Sequence, residues 1–149
     1  MRAEDLPEAD ERFDVITCLW NVLAHVSPAT ARVLALRRIG SLLAPNGSIF
    51  VDVNNRYNAA WYGWLPTLRR AVHDAILPSE RNGDVDMVWS VGGDQIATRT
   101  HVFTPSELAA LIRSAGLYVK RRHFIDYGSG TIRRSFFEGQ ILCELGSNS

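Results

Sequence analysis

The apolar positions of this chain fall into short blocks whose spacing changes from one block to the next. Arg12-Phe13-Asp14-Val15-Ile16-Thr17-Cys18-Leu19-Trp20 is β-branched and apolar with almost no alternation. That pattern predicts a strand covered on both faces, as in a parallel sheet. Asn21-Val22-Leu23-Ala24-His25 suits a short turn of helix, and Pro28 sits where a longer helix begins. Ala29, Val33, Leu36, Gly40 and Leu43 then repeat at steps of four and three, which predicts one buried helix face with Arg32, Arg37 and Arg38 directed elsewhere. Pro45-Asn46-Gly47 ends that helix, and Ser48 to Val53 reads as a second buried strand.

The middle of the chain is less regular. Trp61, Trp64, Leu65, Leu68 and Val72 have helical spacing, with Pro66 expected to kink or divide the helix. Asp86 to Val91 and Gln95 to Phe103, joined by Gly92-Gly93-Asp94, predict a hairpin after the turn Asn82-Gly83-Asp84. Thr104-Pro105-Ser106-Glu107 is a helix start: Thr104 can accept from the third backbone amide, and Glu107 can reach back to Thr104. Leu108, Leu111, Ile112 and Ala115 form its buried face, and Gly116 suits the left-handed closing position. Leu117 to Ile125 reads as a strand. Phe136 to Leu145 reads as the last, with Phe137, Ile141, Cys143 and Leu145 on one face and Glu138, Gln140 and Glu144 on the other. Alternation at the front predicts an α/β domain with a parallel sheet and right-handed crossovers. The short link Tyr127-Gly128-Ser129-Gly130 fits an antiparallel final pair.

Composition narrows the class without choosing an activity. The 149 residues suit one domain, and 46% hydrophobic with 21% charged residues is an ordinary globular profile. Sixteen basic residues balance sixteen acidic ones, so the whole chain advertises neither nucleic acid nor an anionic membrane as partner. The apolar runs are too short to span a bilayer, and Met1-Arg2-Ala3-Glu4-Asp5 opens no secretory signal, so a cytoplasmic location is expected. Cys18 and Cys143 lie far apart in apolar runs and read as reduced buried thiols, with no metal site expected.

Three segments together resemble class I S-adenosylmethionine-dependent methyltransferases. Asp5-Leu6-Pro7 followed by Arg12-Phe13-Asp14-Val15-Ile16 is similar to the family's approach to its fourth strand. Leu42-Leu43-Ala44-Pro45-Asn46-Gly47-Ser48-Ile49-Phe50-Val51 resembles the helix, turn and fifth strand that follow. Phe103-Thr104-Pro105-Ser106-Glu107-Leu108, closing at Ala115-Gly116-Leu117, resembles the helix before the last two strands. Locally, Cys18-Leu19-Trp20-Asn21-Val22-Leu23-Ala24-His25 is also similar to small-molecule N-methyltransferases of the glycine N-methyltransferase kind. The resemblance implies a partial Rossmann-like fold, the C-terminal portion of one domain, with a helix-hairpin insertion at about 56–103. Two family features have no counterpart here: the glycine-rich turn that cradles the cofactor's amino-acid end, and the acidic residue that binds its ribose. Gly92-Gly93 and Gly128 to Gly130 lie between strands and are no substitute.

The resemblance implies methyl transfer from S-adenosylmethionine to a small molecule, a displacement that depends on alignment and dryness more than on a fixed catalytic motif. Ligands of open α/β sheets sit beyond the carboxyl ends of the strands. Cys18, Leu19 and Trp20 are therefore expected to face the cofactor, with Arg2, Ala3 and Glu4 on its adenine side. Asn21 and His25 are the catalytic candidates: Asn21 because a polar group past an apolar strand needs a partner, His25 because imidazole titrates near neutrality. Asn54, Asn55, Arg56 and Tyr57 are expected to face the substrate. Asn54 stands where glycine-type enzymes carry an arginine for a substrate carboxylate, a mismatch that speaks against an amino-acid substrate unless Arg56 reaches the same space. Trp61, Tyr62, Trp64 and Trp89 suit a lid, and an amphipathic core helix explains the first three equally well.

Without the cofactor cradle, the isolated chain is expected to bind S-adenosylmethionine weakly or not at all. The strand Phe13 to Leu19, internal in the family, would be left as an edge able to pair with a second copy or a complementary chain. Two rival readings stand beside the enzyme. One is a non-catalytic half-fold for oligomerisation or for binding a companion chain. The other is half of a nicotinamide-dependent oxidoreductase, which would want a final parallel strand.

Overall fold

The structure is a computed structural model that describes residues 11–147; the candidates Arg2, Ala3 and Glu4 lie outside them. Five strands form the main sheet in the order β1-β2-β7-β5-β6: β1 (Phe13–Cys18), β2 (Leu43–Val53), β5 (Leu117–Asp126), β6 (Thr131–Arg133) and β7 (Gln140–Ser147). β1 pairs parallel with β2, while β7 runs antiparallel to both β2 and β5. Three strands thus point one way, with β7 reversed between two of them and the short β6 reversed at the far edge. The expected α/β architecture with its antiparallel pair is present. Strands β3 (Asp84–Val91) and β4 (Asp94–His101) form a separate antiparallel hairpin.

Two helices cover the sheet because each offers an apolar stripe. α1 (Ala29–Ser41) and α4 (Pro105–Ser114) pack on one another and on β2 and β5. Leu36, Ile39, Leu108, Ile112, Ile49, Val51, Ile141 and Leu145 build the shared core, with Phe103 fully buried among them. α4 starts as its sequence requires: the Thr104 hydroxyl accepts the Glu107 N–H at 3.1 Å, and Glu107 accepts the Thr104 N–H. Gly116 takes the left-handed closing turn at φ 80°. At Gly40 a side chain would collide with Leu117 Cδ2, 2.9 Å from where its Cβ would stand. The glycine lets α1 lie directly against β5.

Several expectations are corrected in detail. Arg32 does not point away from the core. It is 2% exposed, lies over the Phe103 ring at 5.4 Å and reaches Glu80. The buried stripe of α1 is therefore Arg32, Ala35, Leu36 and Ile39; an aliphatic stem and a flat guanidinium pack like a hydrophobe when an aromatic face receives them. Pro45-Asn46-Gly47 bulges within β2, so the strand register jumps between Phe13 and Val15. Pro66 divides nothing: the break falls at Gly63, between α2 (Ala59–Tyr62) and α3 (Trp64–Ile76). A proline is tolerated in a helix's first turn, where its missing N–H has no partner to lose. Trp64, Leu65, Leu68 and Val72 of α3 are exposed, and only Thr67 is buried. Phe137 precedes β7, and Gln140 is buried, accepting the Asn55 N–H at 2.6 Å.

β1 is an edge strand among the described residues, bonded only to β2. Val15 is 59% exposed and Phe13 is also exposed, so the double coverage that its composition predicts is not supplied by residues 11–147. No helix among those residues is long and apolar enough to cross a membrane. Cys18 is half-buried and Cys143 buried, both as free thiols.

Candidate functional site

The carboxyl ends of β1 and β2 meet where the backbone is unusual. Trp20 and Asn21 have φ of 64° and 58°, a left-handed region that asparagine tolerates and most residues avoid. The chain reverses there, and the Asn21 amide turns back over the sheet. Its backbone N–H donates to Asp52 Oδ1 at 2.9 Å, its Nδ2 donates to Thr100 Oγ1 at 3.3 Å, and its Oδ1 accepts the Asn54 N–H at 2.9 Å. One residue thus ties β1, β2 and the hairpin together. Asp52, buried in β2, also accepts the Tyr127 hydroxyl. Burial, then the hydrogen bond to Asp52, then that carboxylate's charge push the Tyr127 phenol far above its ordinary value. Tyr127 therefore stays neutral, its proton committed to Asp52 and its oxygen free to accept.

Beside this cluster opens a cleft of about 550 Å³. Asn54, Thr100, Val102, Tyr127 and Gln140 line it from the sheet and the hairpin base, Val85 and Met87 from β3, and Trp61, Tyr62 and Arg70 from α2 and α3. Its size suits a drug-sized molecule, and its mixed apolar and polar walls are those of a small-molecule site. The hairpin that forms one wall is clamped to the core by His101, fully buried, with Nδ1 2.8 Å from Asp84 and Nε2 2.7 Å from Glu107.

The sequence candidates separate into three places. Asn54 and Asn21 belong to the cleft and its floor: Asn54 lines it, and Asn21 positions Asp52, Asn54 and Thr100 with every amide atom engaged inside the protein. Cys18, Leu19 and Trp20 sit at the end of β1, with Trp20 88% exposed and the Cys18 thiol pushed up by burial and then by the Asp52 charge. The others face away from the cleft. Asn55 is fully buried and donates to the carbonyls of Phe136 and Gly139 at 2.6 and 2.9 Å. Arg56 and Tyr57 both bond Asp74, at 2.6 and 2.9 Å, on a second, more open groove of about 690 Å³. Burial and then the Asp74 hydrogen bond push the Tyr57 phenol up to about 12. His25 ends the short 3₁₀ turn Val22–His25, exposed and lining neither cleft.

Sequence reasoning missed Asp52, Thr100, Arg70 and Tyr127. Asp52 carried a signal, as the sole charge in the apolar run Ser48 to Val53, because a buried carboxylate requires partners. The other three are brought in by tertiary packing of segments far apart in sequence.

No family model matches the sequence, and no curated protein matches it. Solved structures do match in fold. The CcbJ methyltransferase of Streptomyces caelestis is 16% identical with a TM-score of 0.71, over 97% of this chain and 65% of that one. A SAM-dependent methyltransferase from Methanosarcina mazei is 15% identical with a TM-score of 0.66, over 99% and 65%. The glycopeptide N-methyltransferase MtfA, solved with S-adenosylmethionine, gives 10%, 0.60, 99% and 58%. The chain has the fold of the class I SAM-dependent methyltransferases and spans 65% or less of the length of these three neighbours.

Leu19 and Trp20 present apolar surface beyond the carboxyl end of β1, beside the Asn21 turn. Among the described residues no helix follows a glycine-rich turn, so the cofactor's amino-acid end finds no cradle of backbone N–H groups here.

Proposed function

We propose that this chain supplies the acceptor side of a methyltransferase that moves a methyl group from S-adenosylmethionine to a small molecule. The observation that carries this reading is the cleft at the carboxyl end of β2, opening beside the apolar end of β1 in a chain with the methyltransferase fold. The cofactor, when bound, supplies an electrophilic methyl. The chain's own residues hold and orient the acceptor. Tyr127, fixed by Asp52, offers an oxygen that accepts from the acceptor's N–H or O–H, while Asn54 and Gln140 add polar contacts and Trp61, Tyr62 and Met87 exclude water. Leu19 and Trp20 provide one wall for the cofactor, and a glycine-rich segment beyond the described residues is required for the rest.

The test is an NMR titration of the 149-residue chain with S-adenosylhomocysteine. Amide shifts confined to Cys18–Asn21 and Asp52–Asn54, with affinity on the order of millimolar because one wall is present, support the reading. Absence of shifts at saturating nucleoside, or shifts clustered elsewhere, overturns it. The exposed β1 edge favours one second reading, a half-fold that binds a companion chain or a second copy. Line broadening restricted to β1, independent of nucleoside, is its signature.

A further inference from the structure

The cleft holds two arginines in unlike surroundings. Arg133 of β6 is neutralised: its Nη2 donates to Asp126 Oδ2 at 2.6 Å, and Glu138 adds negative charge nearby. Arg70 of α3 has no carboxylate partner among the described residues. Its guanidinium lies over the Tyr62 ring, 4.3 Å from the centroid, and its buried Nη1 has no hydrogen-bond partner. A guanidinium held flat by an aromatic face is pre-oriented for two parallel hydrogen bonds. The buried Nη1 is closed to a water-sized oxygen, and Arg70 meets the cleft through the rest of its side chain. Arg56, the cation that the sequence offered for a substrate carboxylate, is already bound to Asp74 on the other groove.

We propose, resting on the reading of this cleft as the acceptor site, that Arg70 anchors a carboxylate carried on a flat apolar body, and so defines the acceptor as a monoanionic aromatic acid or its close analogue. The walls suit that body: Trp61, Tyr62, Met87 and Val102 line the same cleft, with Tyr62 against the guanidinium. The charge of the anion is limited by what stands opposite. With Arg133 and Asp126 paired to each other, a dianionic phosphate meets one available cation, Arg70, and one further carboxylate, Glu138. A carboxylate needs only the one guanidinium.

The experiment compares three probes of one shape, naphthoate, naphthamide and naphthyl phosphate, by NMR titration of the 149-residue chain, following the Trp61 indole. Naphthoate is expected to bind about tenfold tighter than naphthamide, as one charge-assisted bidentate contact allows. Arg70→Met should erase that preference, bringing the naphthoate-to-naphthamide affinity ratio to about one. Arg70→Lys should keep part of it, and the exposed neighbour Arg69→Met should keep all of it. Equal binding of acid and amide, a preference that survives Arg70→Met, tighter binding of the phosphate, or no binding of any probe overturns the proposal. No arm contains nucleoside, so its failure leaves the methyl-transfer reading to the S-adenosylhomocysteine titration, and a failed nucleoside titration leaves this result standing.

Discussion

Replacing Asn21 by alanine removes two side-chain hydrogen bonds and leaves the backbone in a region where alanine is strained. The Asn54 N–H, held at 2.9 Å by Asn21 Oδ1, loses its partner in a part-buried position, at a cost of about 1–3 kcal/mol. The longer bond to Thr100, 3.3 Å, adds little, because a hydroxyl rotates to find another partner. Holding alanine at φ 58° adds about 1–2 kcal/mol. The expected loss is therefore about 2–5 kcal/mol, a large share of a small domain's stability. Asn21→Gly loses the same hydrogen bonds without the left-handed strain, so it should recover about 1 kcal/mol relative to alanine. Urea unfolding of the three proteins measures both differences, and hydrogen exchange at the Asn54 amide reports the lost bond directly. An alanine variant within about 0.5 kcal/mol of the parent would refute the hydrogen-bond argument. A glycine variant no better than alanine would refute the strain argument. In a protein that joins this chain to a cofactor-binding portion, as the proposed function requires, Asn21→Ala should also slow methyl transfer far more than Arg122→Ala, which alters a β5 position that does not line the cleft.

The Cys143 thiol is pushed by burial from 9 up to about 11. The fold favours the neutral form, so this contribution is complete below pH 9 and is lost as pH rises toward 11, a change of about 2–3 kcal/mol. Urea midpoints at about pH 8 and about pH 10.5 should diverge in the parent and diverge less in Cys143→Ala; an unchanged gap would show that other groups dominate. His101→Leu leaves Asp84 and Glu107 without their shared partner and should cost about 2 kcal/mol, loosening the hairpin first, as hydrogen exchange across Asp84–His101 would show. Uniform exchange rates in parent and variant would sink that account. The β1 edge should drive concentration-dependent self-association, visible by light scattering over a dilution series and reduced by Val15→Lys, a standard edge protection. A parent chain that stays monomeric with strongly protected Phe13 to Leu19 amides would contradict it.

What could be read from the sequence was whatever depended on neighbours along the chain. The capping box at Thr104 and Glu107, the left-handed Gly116 and the β3–β4 hairpin are local devices, and each appears as expected. The α1 stripe was harder, because periodicity treats arginine as polar. Arg32 enters the core against the ring of Phe103 and toward Glu80, both far along the chain. The cleft was half legible. Position beyond a strand's end pointed to Asn21 and Asn54, and the same rule pointed equally to Asn55, Arg56 and Tyr57. Backbone direction after β2 turns those three inward or onto Asp74, and no one-dimensional spacing encodes that choice. Arg70 and Tyr127 lay hidden because each enters the cleft from a separate element.

The position of β7 has a consequence for how the chain is made. Of the described strands, the last to leave a ribosome is the one in the middle of the sheet, bonded to β2 on one side and β5 on the other. Until Gln140 to Ser147 has emerged, those two strands have no common partner, and Ile49, Val51 and Val53 must wait beside a vacant slot that Ile141, Cys143 and Leu145 will fill. Pairings so far apart along the chain delay closure of this sheet until β7 has been made. A stop codon just before Gln140 would therefore do more than shorten the protein. It would split the sheet down its centre and leave a nascent chain with two open seams for a chaperone or a protease to find.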